Sequence, residues 1–203
     1  IDPLREGLVM SLMMFTGKRR NFLEETPEHC KQLKLPHPIL TSEDLERLRS
    51  VKRKDFKVAT VDALFNVTQD YPGVSLRNGI NRMINSAETE IKKGACIIIV
   101  SDRNVSRTKA AIPSLLATSA LHQGLIERKL RAEAGIIIES GEPREVMHFC
   151  LLSGFGANAF NPYLAFETLA ELRRQGEIPA TIEPAQLADN YIAAIKKGML
   201  KTM

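Results

Sequence analysis

Two kinds of hydrophobic spacing alternate along this chain. From about residue 56 onward, short apolar runs of strand length are followed by longer stretches whose apolar residues recur every three or four positions. FKVATVDALF (Phe56–Phe65) contains the first strand, and a loop with Pro72 and Gly73 comes next. Ser75 is expected to cap a helix running to about Lys93. GACIIIVSD (Gly94–Asp102) is a continuous β-branched run, the pattern of a strand buried on both faces. Ile112–Arg131 reads as a long helix with Pro113 in its first turn, and AGIIIES (Ala134–Ser140) as another fully apolar strand. Pro143 opens a helix to Ser153, ANAF (Ala157–Phe160) is a short strand, and Pro162–Gly176 is a helix that glycine ends. A final helix spans Glu183–Leu200, with Pro184 at its start.

Strands alternating with helices imply parallel pairing through right-handed crossovers. The expected fold class is therefore α/β, a parallel sheet of successive βα units. A closed barrel needs eight strands. Four are evident, so the sheet is expected to be open or partial-barrel-like.

Residues 1–55 show a different pattern and are expected to form a helical, irregular N-terminal portion ahead of an α/β core over residues 56–203. Apolar residues in LREGLVMSLMMF (Leu4–Phe15) fall on a helical period. Pro27, Pro36 and Pro38 interrupt the next stretch and should leave Leu35–Ile39 extended. TSEDLERLRS (Thr41–Ser50) begins a short helix capped by Thr41 or Ser42, with Glu43 and Asp44 where the dipole favours acids.

Composition changes this picture little. The chain has 203 residues, enough for one sizeable domain, with 44% hydrophobic and 26% charged residues. The longest apolar stretch, Ala95–Val100, is too short to span a bilayer, and the first residues show no signal peptide. The chain opens on Ile1 rather than Met, which suggests a piece of a longer polypeptide. Net charge is +4, and basic residues cluster in Thr16–Phe22 and Val51–Lys57. Neither cluster carries the aromatics of a single-strand platform, so solvated faces or contacts within the protein suit them better than nucleic acid. Cys30, Cys96 and Cys150 are too far apart to suggest a metal site or a disulfide framework, which fits a reducing, cytoplasm-like compartment.

In parallel α/β folds chemistry gathers at the carboxyl ends of strands. Asp62, Asp102 and Glu139 fall there. One reading is a carboxylate site holding a metal or a general base. The other is that these acids cap helices and pair with Arg103, Arg107 or Arg144. His122 and His148 lie within expected helices, and apolar surroundings should leave Cys96 and Cys150 inert. GFGAN (Gly154–Asn158) holds a GxG pair, but it comes after a helix and precedes a strand. That is the reverse of a dinucleotide fingerprint, so a helix stop and turn is expected.

The long block ESGEPREVMHFCLLSGFGANAFNPYLAFE (Glu139–Glu167) and the preceding VSLRNGINRMINSAETEIKKGACIIIVSDRNV (Val74–Val105) resemble the central domain of the glutamate synthase large subunit. The opening IDPLREGLVMSL and closing NYIAAIKKGMLKTM resemble that domain's flanks, so the likeness covers nearly the whole chain. The resemblance implies a connector between a glutamine amidotransferase domain and an FMN-binding synthase domain that also holds an iron–sulfur cluster. It also implies that this segment helps frame the path of ammonia between them. The parent would turn glutamine and 2-oxoglutarate into two glutamates with electrons from NADPH, NADH or ferredoxin, through a small subunit or ferredoxin as partner. The setting would be the cytoplasm, or a plastid for a ferredoxin-dependent plant-type parent. No position here matches the family's catalytic or cofactor-binding residues, so neither activity nor cofactor is expected of this segment alone. Gln123 stands where a second histidine is expected after His122, and Asn158 where aspartate is commoner. The small and polar residues Gly154, Gly156, Ala157, Asn158, Asn161 and Tyr163 are the expected contact with a neighbouring domain, and Ala157→Leu is the substitution expected to disturb it. An independent enzyme or ligand-binding module using Asp62, Asp102 and Glu139 is the alternative.

Overall fold

The computed structural model describes residues 8–53, 55–67, 71–179 and 181–203. Four parallel strands form the central sheet: β3 (Lys57–Asp62), β5 (Ala95–Ser101), β7 (Gly135–Glu139) and β8 (Ala159–Asn161). They lie side by side in chain order, with Ile98 opposite Ala59 and Ile136, and Ile138 opposite Phe160. Helices α2 (Pro72–Lys92), α3 (Ser114–Glu127) and α4 (Val146–Gly154) make the three crossovers. This order is that of half an eight-strand barrel, left open. All four strands expected from the sequence are in it.

The two faces of the sheet are covered differently. Ala59, Val61, Ile98, Val100, Ile136 and Ile138 point into the larger core with Met83 and Ile84 of α2, Leu121 and Leu125 of α3, and Phe149 and Leu152 of α4. Helices α5 (Tyr163–Arg174) and α6 (Pro184–Thr202) complete this side; Ile192, Ile195 and Met199 of α6 join the core. The alternate residues Ile97, Ile99, Ile137 and Ala159 face the other way, toward Leu35, Leu40, Leu45 and Leu48. The two cores arise from the period-two alternation of strands buried on both sides. On the second face, the N-terminal segment lies where the hollow of a closed barrel would be.

That segment is built around α1 (Ser42–Ser50). Thr41 caps it in a reciprocal box: Thr41 Oγ1 accepts the Asp44 N–H at 3.1 Å, and an Asp44 carboxylate oxygen accepts the Thr41 N–H at 3.2 Å. Just before it, Pro38–Leu40 runs beside β8, the Phe160 N–H donating to the Pro38 carbonyl at 2.7 Å and the Leu40 N–H to the Phe160 carbonyl at 2.8 Å. The β8 edge is thereby paired within the chain.

The helix expected over Leu4–Phe15 is corrected. Residues 4–7 lie outside the described residues, and Met14–Thr16 is strand β1, antiparallel to β2 (Leu33–Leu35). Leu12 and Met14 turn inward while Met13 and Phe15 stay exposed, so the true period is two. All four are apolar, and a uniformly apolar run cannot reveal its period. Three boundaries also move. Helix α2 begins at Pro72, whose fixed φ suits a first helical position, and the Ser75 hydroxyl donates to the Asn66 carbonyl rather than capping. Pro113 precedes α3 instead of lying inside it, and α4 starts at Val146 behind a Glu145–His148 capping box, not at Pro143. Strand β4 (Leu64–Asn66), antiparallel to β6 (Lys109–Ala111), splits the expected Phe56–Phe65 run in two.

Candidate functional site

The strand carboxyl ends carry a buried polar network. Glu139 continues the parity of Ile137 and so turns toward α1, where it is 1% exposed. Its carboxylate is held by two guanidinium groups: Arg49, from the last turn of α1, and Arg103, from the loop after β5, with Arg103 Nε at 2.8 Å. Arg103 also reaches Glu167 at 3.0 Å and lies 4.1 Å above the Tyr163 ring. Burial alone would raise the Glu139 pKa, but hydrogen bonds from Arg49 and Ser101, the charge of Arg49 and a hydrogen bond from Arg103 hold it below the usual carboxylate range.

Asp102 has the opposite parity and lies on the helix side. It accepts the Ser140 hydroxyl at 2.5 Å, the Tyr163 hydroxyl at 2.8 Å and the Gly141 N–H at 3.2 Å. Burial, then the hydrogen bond to Asp102, raises the Tyr163 pKa well above the usual phenol range. Asn161, fully buried in β8, donates to the Leu40 carbonyl at 3.0 Å and ties α1's entry to the sheet.

Asp102 and Glu139 share a cavity of only about 10 Å³, lined otherwise by residues such as Ala63, Val100, Ile138 and Ser140. Asp62 lies elsewhere, on a broad surface concavity of about 620 Å³ with Arg82 and Lys109, and accepts an Asn104 side-chain N–H at 3.2 Å. The three strand-end acids therefore do not share one cavity. A space of about 10 Å³ does not fit a flavin, and two of the acids have their oxygens engaged by protein donors. Among the described residues, no group of three or more His, Cys, Asp or Glu side chains could hold a metal ion. Of the partners expected for these acids Arg103 is present. Arg49, ninety residues from Glu139 in sequence, was not foreseen; the only hint is its place on α1 directly after the buried Leu48.

The Gly154–Tyr163 block makes a turn and a strand. Gly154 ends α4, and Gly156 has φ +112°, a conformation that L side chains rarely adopt. A Cβ there would lie 2.2 Å from Nδ1 of His122, so the turn needs glycine on both counts. Asn158 accepts the Ile136 N–H at 2.8 Å. Ala157, Asn158 and Asn161 are buried within the chain, Gly156 and Tyr163 are partly covered, and Gly154 is exposed. Ala157→Leu would therefore act first on this chain's own core.

The large apolar side chains that do face outward here are on α4 and its C-cap residue, Phe155. Met147, Leu151 and Phe155, four residues apart, form one exposed ridge at 56%, 40% and 45% exposure. Their helix is fixed from behind: Phe149 and Leu152 are buried, and Gly198 of α6 brings the two helices close against Val146. Leu151 also lines a cleft of about 160 Å³ with Leu115, Pro143 and Leu152.

The whole chain, residues 1–203, matches the family described as glutamate synthase central domain. The chain belongs to that family. It is 39% identical over 205 residues to the glutamate synthase [NADH] of Schizosaccharomyces pombe, 37% identical over 203 residues to the glutamate synthase [NADPH] large chain of Bacillus subtilis, and 39% identical over 215 residues to the chloroplastic ferredoxin-dependent glutamate synthase of Spinacia oleracea. Each comparison covers 100% of this chain but only 10%, 13% and 13% of those relatives. This glutamate synthase central domain thus has an α/β half-barrel frame in which the ends of β5 and β7 are filled by its own side chains. No helix among the described residues is long and apolar enough to cross a membrane.

Proposed function

We propose that this chain serves as the connector of a glutamate synthase, joining the glutamine amidotransferase domain to the FMN-binding synthase domain and helping frame the route of ammonia between them. It performs no chemistry of its own; the parent makes two glutamates from glutamine, 2-oxoglutarate and reductant. The partners are the other domains of the same polypeptide, with a small subunit or ferredoxin reached through the parent.

The observation that carries this reading is the ridge of Met147, Leu151 and Phe155. A large apolar side chain exposed singly is ordinary, but three aligned on a rigid helix beside an apolar cleft match an interdomain contact. In this reading the exposed Gly154 lies in the contact, while Gly156, Ala157, Asn158, Asn161 and Tyr163 hold the turn and strand beneath it. The network at the strand ends supports the non-catalytic part, because Asp102 and Glu139 are committed to protein donors.

The test is Leu151→Asp in the complete parent, which places a charge in the ridge without touching the buried face of α4. Glutamine hydrolysis should persist while glutamate formed per glutamine consumed falls below the wild-type ratio. If that ratio and both rates are unchanged, the ridge is not the contact.

A further inference from the structure

At the opposite end of the sheet lies a cation without a counter-ion. Arg131 is pinned between α3 and the start of β7. Its Nε donates to Nδ1 of His122 at 2.9 Å, Nη1 to the Ala134 carbonyl at 2.9 Å, and Nη2 to the Gly156 carbonyl at 2.7 Å, with the Asn158 amide oxygen at 3.4 Å. Every acceptor is neutral. No carboxylate pairs with Arg131 among the described residues, and the nearest acid in sequence, Glu133, is paired with Lys18. A partly buried charge held only by dipoles is incompletely compensated.

A second cation comes to the same place. The Arg19 N–H donates to the Ala132 carbonyl at 2.7 Å, and its exposed guanidinium has no partner among the described residues. Arg19, Arg131, His122, Ser153 and Asn158 line one open cleft of about 450 Å³. Burial, then the charge of Arg19, lowers the Arg131 pKa, which agrees with two like charges facing one space. The His122 ring accepts from Arg131 and is neutral in this arrangement. Arg19 offers a free guanidinium fork, the usual receptor for a carboxylate or phosphate group, and Arg131, whose nitrogens already donate to protein acceptors, adds a fixed positive charge beside it.

We propose that this cleft binds an oxyanion, supplied either by a small anion from solution or by an acidic side chain elsewhere in the parent polypeptide. The site is independent of the connector reading.

The test titrates sodium phosphate, and separately sodium acetate, into the 203-residue chain at constant ionic strength. The Arg131 Nε–H and His122 ring resonances are monitored by NMR. Saturable shifts are expected for the wild type. Arg19→Ala, an exposed position, should weaken half-saturation about tenfold or more, the range for one lost charge-assisted hydrogen bond. Asn158→Asp keeps the oxygen that accepts the Ile136 N–H but supplies a resident negative charge, and should weaken it comparably. Binding in the isolated chain that disappears in the parent identifies a parent carboxylate as the occupant; binding retained in both identifies a free anion. Shifts that drift linearly without saturating, or saturable binding that neither substitution weakens, would overturn the proposal.

Discussion

Glu139→Gln tests whether the strand-end network is structural. The substitution keeps the side chain's size but removes the one negative charge between Arg49 and Arg103 and turns one acceptor oxygen into an NH2 donor. Breaking a fully buried ion pair costs about 3–5 kcal/mol, because the remaining charge is left unpaired. Here the remaining charges are partly wet: the Arg49 and Arg103 side chains are 25% and 36% exposed. Solvent screening and their other partners, Glu46 and Glu167, discount the loss to roughly 2–3 kcal/mol. In a chain of this size that lowers Tm by roughly 5–10 °C. Differential scanning calorimetry at neutral pH measures it, with Glu171→Gln at the exposed Glu171–Arg174 pair as a control expected to leave Tm unchanged.

The pH dependence carries the same signature. Glu139's folded pKa lies below its ordinary value of 4.5, so its contribution is fully present above that pH and is lost as pH falls through the folded pKa. Urea midpoints of the wild type should fall across that window, and Glu139→Gln should flatten this part of the fall. A Tm within a degree of wild type, together with an unchanged acid limb, would refute the reasoning.

Single contacts give further expected outcomes. Gly156→Ala combines a positive φ with a Cβ meeting the His122 ring, and should cost about 3 kcal/mol by denaturant titration. Thr41→Ala removes the oxygen that accepts the Asp44 N–H and should cost about 1 kcal/mol, seen as a lower urea midpoint at unchanged m-value. Burial, then the charge of Arg131, lowers the His122 pKa, with Arg131 and Arg19 the charged groups facing it. Its contribution is therefore present above the ordinary value of 6.5 and lost as pH falls below it, and His122→Gln should remove that dependence from urea midpoints measured as the pH is lowered below 6.5.

The half-barrel was legible because its strands are buried on both faces. Ile97–Val100 and Ile136–Ile138 are apolar at every position, and such runs bounded by glycine or charge have few other readings. The N-terminal hairpin was not legible, since Leu12–Phe15 is apolar throughout and only pairing with Leu33–Leu35 decides its period. Helix starts shifted where proline acts outside the helix, at Pro113 and Pro143, while the capping work falls to backbone and to Glu145. The strand-end acids were found by topology alone. Their meaning depended on Arg49, a residue brought to Glu139 by the packing of Leu45 and Leu48 onto the second sheet face, which no local pattern encodes. The ridge of Met147, Leu151 and Phe155 was within reach of the sequence as an i, i+4, i+8 series. Phe149, Cys150 and Leu152 mask it, because α4 is apolar nearly all round and only the position of α6 separates inside from outside.

The connector reading rests on α4's outer face meeting another domain, and hydroxyl-radical footprinting of Met147 measures this directly. Rates are compared between the 203-residue chain and the complete parent, with buried Met83 as the internal reference. In the connector reading Met147 oxidises many times faster than Met83 in the chain alone and falls toward the Met83 rate in the parent. Equal Met147 oxidation in the two contexts would contradict it.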